Sequence, residues 1–357
     1  MQHSIGLVFG GKSTEHEISI MSARNVYRNI NKDKFNPVLI YINREGNWFK
    51  IEEEDLLKDK LNRKMEAGLS LDLNYPDGGI FDHVKNKYLE LDAVFPVLHG
   101  SNGEDGSIQG MFEIIGVAYV GPGILSSAIS MDKDIAKKLF INAGLPTSKY
   151  LCYRKFGLPD IKFSKVKEEL GIPLVIKPAS AGSSVGISKV NNETEFRKGI
   201  DQAFQFDKKI LIEEFIDGRE IECAVLGNEE PVASVPGEII SEFYDYEAKY
   251  ISETKARLEA PAKLTKDQTE QVRNLAIKAY KTLECEGMAR VDFFLVNDKF
   301  LVNEINTIPG FTNISMYPTL FKLSGISNQE LITRLIELAI ERFNKNRELN
   351  TSYNLPG

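Results

Sequence analysis

Two apolar runs near the C-terminus, 291–296 and 300–306, carry polar residues where their alternating pattern calls for apolar ones. The Asn-Asp pair between the runs predicts a β-hairpin. Asp292 lies on the first run, and Glu304 and Asn306, two residues apart on the second, share a face. Oxygen-bearing side chains on adjacent strands, beside an arginine, are suited to a hard cation such as Mg²⁺. An exposed hairpin with polar residues facing water explains the same spacing equally well.

A second candidate site is the segment of small residues between Lys177 and Ile187. Small residues let backbone N–H groups approach an anion, Ser183 and Ser184 add hydroxyl groups, and Lys177 adds positive charge. No helix follows the segment, so it differs from the glycine-rich nucleotide loops that open a helix. The pattern favours a lid over phosphate groups, and the tip of a flexible hairpin is the alternative.

A third, weaker signal is the end of an apolar strand at Glu213, Glu214, Phe215 and Ile216. Backbone groups of such a segment can hydrogen-bond the edge of an adenine while apolar side chains cover its ring. A solvated strand end is the simpler interpretation of this segment when it is taken alone.

The N-terminal segment contains a Gly-Gly turn that delivers Glu15 and His16 to the start of a predicted helix. A carboxylate is stabilised there by the positive end of the helix dipole, and simple capping is the alternative role. Residues 6–13 also match the expression for a phosphate-binding P-loop. We reject that interpretation because 7–9 are predicted to form a buried strand rather than an open loop.

These segments lie between regular elements whose hydrophobic patterns predict an α/β fold. Apolar runs predict strands over 4–9, 37–42, 93–98, 118–120, 173–178, 187–190, 209–216, 221–226 and 232–234. Apolar residues at helical spacing predict helices over 15–30, 106–115, 126–143, 193–206, 264–283 and 328–343. Two polar segments lack such a pattern. We interpret 44–87 as a surface insertion and 237–261 as a long functional loop or disordered segment.

Composition narrows the class of protein. The 357 residues suggest two or three domains, and 42% apolar with 27% charged residues is typical of a globular protein. A net charge of −7 disfavours nucleic acid as a partner. The three cysteines are too far apart for a disulfide framework, and the sequence has neither a signal segment nor an apolar run of about 20 residues. We therefore expect a cytoplasmic protein with no nucleic-acid and no membrane partner.

Taken in order, these segments are similar to the ATP-grasp carboxylate–amine ligases. Four longer motifs sharpen the resemblance to the D-alanine–D-alanine ligase family: FGGKSTEHEIS, VLHGSNGEDGSIQG, FYDYEAKY and NEINTIPGFTNISMYP. The resemblance covers residues from about 4 to 340 and leaves out the 44–87 segment. Several long motifs in the same order are more specific than any one of them.

The resemblance implies a mixed α/β fold with a three-domain ATP-grasp architecture. An N-terminal α/β domain with a parallel sheet, residues 1–122, is expected to bind substrate. A central ATP-grasp subdomain with the glycine/serine lid is expected over 123–210. A C-terminal ATP-grasp subdomain with the metal site and a long closing loop is expected over 211–357. The implied reaction joins two D-alanines, with ATP activating the first as an acyl phosphate.

The resemblance also implies roles for individual residues. Two Mg²⁺ or Mn²⁺ ions are expected on Asp292, Glu304 and Asn306. Contacts with ATP are expected from Lys133, Lys177, Ser183, Ser184, Glu213, Phe215, Ile216, Glu220 and Lys249. Contacts with D-alanine are expected from Glu15, His99, Arg290, Ser315 and Met316. The catalytic residues are expected to be Glu15, Ser183, Tyr250, Arg290 and Gly310, the last through a nearby backbone N–H.

Tyr250 bears on the second substrate. Relatives that make a D-alanyl-D-lactate ester resemble this chain but generally carry histidine in place of that tyrosine, and a protonated imidazole repels an ammonium group. The resemblance therefore implies a dipeptide product, and it also implies a homodimer. D-Lactate or D-serine as the second substrate is one alternative. A nucleotide-binding protein that has lost catalysis is the other.

Overall fold

The structure of the protein is a computed structural model. It describes residues 2–58, 60–61, 68–74, 79–156, 161–182, 185–240 and 257–350. Four residues of the expected site lie outside the described residues, so their roles stay predictions: Ser183, Ser184, Lys249 and Tyr250.

The N-terminal part of the chain forms a sheet whose centre is parallel. Strand β1 (His3–Gly10) is buried from Ile5 onward and pairs in parallel with β2 (Phe35–Ile42) and β7 (Ala93–Val97). A continuous apolar run suits such a strand because both of its faces are covered. Helix α1 (His16–Asn29) follows β1 and packs on it. The predicted strand–loop–helix opening is confirmed.

The interpretation of 44–87 as a surface insertion is wrong for the part that the structure describes. Short antiparallel strands there extend the sheet beyond β2, and a one-turn helix joins two of them. These elements are β3 (Trp48–Ile51), α2 (Glu53–Leu57), β4 (Leu69–Asp72), β5 (Gly79–Asp82) and β6 (Lys87–Tyr88). With β8 (Ala118–Tyr119), the strand order is β6-β5-β4-β3-β2-β1-β7-β8. Strands this short carry no apolar run for the sequence pattern to reveal.

The central part of the chain, which helix α3 (Ser107–Ile114) precedes, contains an antiparallel sheet and four helices. Its helices are α4 (Ile124–Met131), α5 (Lys133–Asn142), α6 (Phe163–Leu170) and α7 (Glu193–Ala203). Its strands are β9 (Tyr150–Arg154), β10 (Leu174–Pro178), β11 (Ser188–Val190) and β12 (Lys209–Glu214). The strand order is β11-β10-β12-β9. The predicted return strand after the 179–186 loop is confirmed as β11.

The single helix predicted over 126–143 is two helices, because Asp132 interrupts it. Its backbone is extended, and its carboxylate accepts the N–H groups of Asp134 and Ile135, which caps α5. The same carboxylate pairs with the ammonium group of Lys209 on β12. The break therefore fixes Lys133, the first residue of α5, against the central sheet.

The C-terminal part of the chain forms a second antiparallel sheet. Its strands are β13 (Arg219–Leu226), β14 (Val232–Ala233), β15 (Gly237–Ile240), β16 (Arg257–Glu259), β17 (Met288–Val296) and β18 (Lys299–Asn306). The order is β16-β15-β13-β17-β18, and β14 pairs with β13. Its helices are α8 (Lys266–Thr282), α9 (Met316–Leu323) and α10 (Asn328–Arg347). None of the helices in the described ranges is long and apolar enough to cross a membrane.

The last two helices join the N-terminal sheet to the C-terminal one. Residues of α9 and α10 share one hydrophobic core with β1, β7 and α1. A domain boundary between 210 and 211 would divide β12, which pairs along its whole length inside the central sheet. We therefore propose that the central domain extends to about Glu214, and that the C-terminal domain begins with β13.

Candidate active site

The predicted hairpin near the C-terminus is confirmed as β17 and β18. Asn297 and Asp298 both have left-handed backbones, with φ of 46° and 62°, so they form the tight turn typical of a two-residue hairpin loop. Asp292 lies opposite Glu304, and Arg290 lies opposite Asn306. Directly opposed residues project on the same face of a sheet. The four polar side chains therefore converge on one side of the hairpin.

Arg290 is held by two carboxylates. Its Nε and one terminal nitrogen donate to the two oxygens of Asp292 at 2.7 and 2.8 Å, which is a bidentate ion pair. The same terminal nitrogen lies 3.1 Å from Glu222 Oε1 on β13, and Glu222 pairs with Asp292 in the strand register. Asn306 donates to Asp292 Oδ2 at 2.8 Å. These contacts fix the direction of the Arg290 guanidinium.

A β-bulge lets two consecutive polar side chains, Asn303 and Glu304, line the same cavity. Asp292 pairs with Glu304, but the next residue of β17 pairs with Val302, so Asn303 is the extra residue. Without the bulge Asn303 would face away from its neighbour Glu304. Its Oδ1 instead lies 3.4 Å from Lys177 Nζ on β10, and both residues line the same cavity.

A buried carboxylate lies between two lysines at the end of β12. Glu213 Oε2 is 3.0 Å from Lys177 Nζ, and its Oε1 is 3.3 Å from Nζ of the fully buried Lys137. Burial alone would raise the pKa of the Glu213 carboxyl, but the two ammonium groups outweigh it and hold that pKa below its ordinary value. Burial lowers the pKa of Lys137. Lys177, at the cavity wall, is therefore positioned by a network that continues into the core.

A cavity of about 230 Å³ lies between the central and C-terminal sheets. Arg290 and nine of the residues expected to contact ATP or metal line it: Lys133, Lys177, Glu213, Phe215, Ile216, Glu220, Asp292, Glu304 and Asn306. Lys189 lies over the ring of Phe215, with Nζ 3.6 Å from the ring centroid. Lys133 Nζ donates to the carbonyl oxygen of Ala181 at 2.9 Å and lies 3.4 Å from Glu304. Lys133 therefore joins the glycine/serine segment to the hairpin.

Glu15 lies outside this lining, at the N-terminus of α1. Its Oε2 is 3.4 Å from the position that a Cβ would take at Gly182 and 2.9 Å from the corresponding position at Gly100. Gly182 lines the cavity, so the Glu15 carboxylate lies beside the glycine/serine segment. At Gly100 the backbone has φ of +74°, a conformation that favours glycine.

The segment after β18 carries the remaining expected residues. Gly310 lies against Ser315, since a Cβ at Gly310 would be 2.8 Å from Ser315 Oγ. That hydroxyl accepts the Thr312 N–H at 2.9 Å, and Ser315 precedes α9. Met316, the first residue of α9, is buried. His99 reaches this segment from the loop after β7, through Nδ1, which is 3.0 Å from the carbonyl oxygen of Ile308.

The side chains of the hairpin fit a divalent cation. Asp292, Glu304 and Asn306 present carboxylate and amide oxygens, the ligands that Mg²⁺ prefers, on one cavity wall. Arg290 and Asn306 both donate to Asp292 Oδ2, but Oδ1 accepts only from Arg290 Nε among these contacts, so one of its two lone pairs remains for a metal ion. The described residues contain no cluster of three or more His, Cys, Asp or Glu with metal-binding geometry. The proposed set has only two carboxylates and depends on the asparagine.

Sequence reasoning missed three residues that shape the site. Glu222 reads as one polar residue in a buried strand, and only the register beside β17 brings it to Arg290. Asn303 reads as a residue on the opposite face of its strand until the bulge is known. Lys137 reads as a surface residue of an amphipathic helix, whereas it is fully buried. For these three residues, the sequence offered one signal: the apolar residues at helical spacing around Lys137, which indicate that this lysine lies close to the buried face of α5.

The central and C-terminal antiparallel sheets enclose a cavity lined by lysines and carboxylates. This arrangement defines the class of protein as an ATP-grasp ligase. The models of the D-ala D-ala ligase N-terminus and C-terminus match residues 4–122 and 139–337. A D-alanine--D-alanine ligase of Oceanobacillus iheyensis is 50% identical over 99% of each chain. The chain belongs to the D-alanine–D-alanine ligase family.

Solved structures agree with this assignment. The VanG D-Ala:D-Ser ligase from Enterococcus faecalis is 38% identical, with a TM-score of 0.86 over 95% of this chain and 100% of that one. A D-alanine--D-alanine ligase from Bacillus anthracis, in a structure complexed with ATP, is 27% identical, with a TM-score of 0.73 over 96% of this chain and 99% of the other.

Proposed function

We propose that the protein joins two D-alanines to D-alanyl-D-alanine at the expense of ATP, for peptidoglycan precursor synthesis. The observation that carries this proposal is one cavity wall on which Arg290, Asp292 and Glu304 face Lys133 and Lys177. A transferring phosphoryl group needs positioned cations more than a covalent nucleophile. The wall supplies both fixed cations and oxygen ligands for metal ions.

The nucleotide occupies the cavity between the central and C-terminal sheets. Phe215 and Ile216 cover the adenine, and Glu220 holds the ribose. Lys133 and Lys177 contact the phosphates, and Glu213 holds Lys177 in place. Two Mg²⁺ or Mn²⁺ ions, held by Asp292, Glu304 and Asn306, would neutralise charge on the transferring phosphoryl group.

The amino-acid side of the reaction lies toward α1 and the segment after β18. A carboxylate oxygen of the first D-alanine attacks the γ-phosphorus, and ADP leaves. Glu15 holds the ammonium group of that D-alanine, with His99 close by. The amine of the second D-alanine attacks the acyl phosphate, loses a proton, and phosphate leaves as the carbon–oxygen bond breaks. Arg290 and the Gly310 backbone N–H stabilise the oxyanion, and Ser315 and Met316 bind the second D-alanine.

Four residues outside the described ranges complete the proposed site. Ser183 and Ser184 contact phosphate, Lys249 contacts the nucleotide, and Tyr250 joins Ser183 and Glu15 in closing the site against water, which would hydrolyse the acyl phosphate. The similarity to a D-Ala:D-Ser ligase makes D-serine the main competing second substrate. Tyr250 favours an amine over D-lactate. We propose further that the protein is a cytoplasmic homodimer.

A competition assay tests this function. Purified protein is incubated with ATP, Mg²⁺ and equal millimolar D-alanine, D-serine and D-lactate, and the products are separated by mass spectrometry. We expect mainly D-alanyl-D-alanine, with one ADP per dipeptide. Mainly D-alanyl-D-serine or D-alanyl-D-lactate would replace the proposed second substrate, and no ligated product would overturn the function.

A further inference from the structure

Side chains from α1 and from the loop after β7 hold the backbone of the segment between β18 and α9. Asn25 Nδ2 donates to the carbonyl oxygen of Phe311 at 2.7 Å, and Phe311 N–H donates to Ser22 Oγ at 3.2 Å. His99 Nδ1 lies 3.0 Å from the carbonyl oxygen of Ile308. Each of these contacts joins residues more than 200 positions apart in sequence. Together they fix the backbone at Ile308 and Phe311, on either side of Gly310.

Ser22 also joins two of these contacts to each other. A carbonyl oxygen only accepts, so His99 Nδ1 carries a proton toward Ile308, and in the neutral ring Nε2 is then an acceptor. Ser22 Oγ lies 3.4 Å from Nε2. The Ser22 hydroxyl can therefore donate to His99 while it accepts the Phe311 N–H. One hydroxyl connects the imidazole to the held backbone.

Burial makes these contacts hard to replace. Ser22 has no exposed surface, and Asn25 and His99 are 7% and 5% exposed. A buried N–H that loses its acceptor costs more than a bond exchanged with water, so the segment shifts when the acceptor is removed. The conformation of Gly310 therefore depends on side chains of α1.

We propose that Ser22 and Asn25 are positioning residues that set the Gly310 backbone for oxyanion stabilisation. This inference rests on the proposed function, in which the Gly310 N–H donates to the tetrahedral species. Such a donor must lie about 2.7–3.1 Å from the developing oxyanion. A misplacement of about 1 Å can cost about 100-fold in rate. Neither residue touches substrate; both act through Phe311.

Ser19 provides a matched control on the same helix. It is also a fully buried serine, and its hydroxyl bonds the Val97 carbonyl and the Gly10 N–H instead of the segment around Gly310. We expect Ser19→Ala and Ser22→Ala to lower Tm by similar amounts. Ser22→Ala and Asn25→Ala should lower kcat about 10-fold or more, with the KM for ATP within about twofold of wild type. Ser19→Ala should keep kcat within about twofold.

Two binding measurements distinguish a loss of positioning of the Gly310 backbone from a general loss of structure. Affinity for a tetrahedral phosphinate analogue of D-alanyl-D-alanine should fall in Ser22→Ala about as much as kcat does, whereas affinity for ADP should not change. Equal kcat losses in Ser22→Ala and Ser19→Ala, or an unchanged affinity for the phosphinate in Ser22→Ala, would overturn the proposal.

Hydrogen exchange tests whether Ser22 holds the backbone around Gly310, and it does not depend on catalytic activity. In Ser22→Ala, amides of a peptide covering 308–313 should exchange faster than in Ser19→Ala. Equal protection in the two variants would contradict a role of Ser22 in holding this segment. If the wild type makes no dipeptide but the two variants still differ in exchange rate, the proposed function is wrong and the structural role of Ser22 is retained.

Discussion

Arg290 and Asp292, two residues apart on one strand, form a bidentate ion pair with N–O distances of 2.7 and 2.8 Å at the wall of the cavity between the central and C-terminal sheets. An arginine proposed to hold an oxyanion is thus fixed by a carboxylate proposed to bind metal. The two functions are coupled through one pair of bonds, and Glu222 on the neighbouring strand also lies 3.1 Å from the guanidinium. Substitution of either residue is expected to disturb both functions.

The metal assignment predicts that Asp292→Asn and Glu304→Gln impair turnover far more than folding. Loss of a single preorganised charge at such a site typically costs about 10²–10³ in kcat. We expect losses of that order in Mg²⁺, together with a weaker Mg²⁺ dependence, measured by phosphate release, and a Tm change of a few degrees. Asp298→Asn, which removes the same charge at the exposed turn of the same hairpin, is the control and should keep wild-type rates. Wild-type activity in both site variants would refute the metal assignment.

The buried network predicts a pH-dependent cost for Lys137→Met. Glu213 has a lowered pKa in the folded protein, so its contribution to stability is present above the ordinary glutamate pKa and is lost as pH falls through the lowered value. Removing one partner from a buried ion pair typically costs about 3–5 kcal/mol, and Lys177 offsets part of that here.

Urea unfolding at pH 7 and near pH 4 checks this prediction. The difference in unfolding free energy between wild type and Lys137→Met should be largest at pH 7 and should shrink in acid, because Glu213 of the variant keeps only one cation and takes up a proton at a higher pH than in wild type. Lys198→Met, at an exposed lysine of α7, should show a small cost at both pH values. A cost for Lys137→Met that is the same at both pH values would contradict the assigned ion pair.

Phe215 is predicted to contribute to nucleotide affinity. The ring lines the cavity and carries Lys189 at 3.6 Å from its centroid. An aromatic contact is worth about 0.5–1.5 kcal/mol beyond buried area, so Phe215→Ala should raise the KM for ATP about 3- to 10-fold and leave the KM for D-alanine near its wild-type value. Phe156→Ala removes a highly exposed ring and serves as the control. An unchanged KM for ATP would remove Phe215 from the nucleotide site.

Local patterns in the sequence predicted most strands and helices, since long apolar runs and helical periodicity survive without tertiary information. These patterns failed where contacts between residues distant in sequence determine the secondary structure. Asp132 breaks a helix because its carboxylate caps α5 and pairs with Lys209, and that lysine is 77 residues away. The strands between β2 and β7 are too short to show a pattern and form by pairing at the edge of a sheet.

The site divides in the same way. Glu304 and Asn306 were predictable as a pair, because residues two apart on one strand share a face. Their position opposite Asp292 and Arg290 was not predictable, since a regular hairpin would oppose Asp292 to Asn303, and only the bulge brings Glu304 and Asn306 to that face. Lys137 was not predictable either, because only the buried Glu213 makes a buried ammonium group stable.

The central claim is that ATP activates a D-alanine carboxylate as an acyl phosphate in this cavity, and an isotope experiment tests it most directly. Protein, ATP and Mg²⁺ are supplied with D-alanine carrying ¹⁸O at both carboxylate oxygens, and the phosphate is analysed by mass spectrometry. Because the carboxylate oxygen that attacks phosphorus leaves with the phosphate, one ¹⁸O atom should appear in inorganic phosphate for each dipeptide formed. Unlabelled phosphate, or label in AMP, would contradict the account.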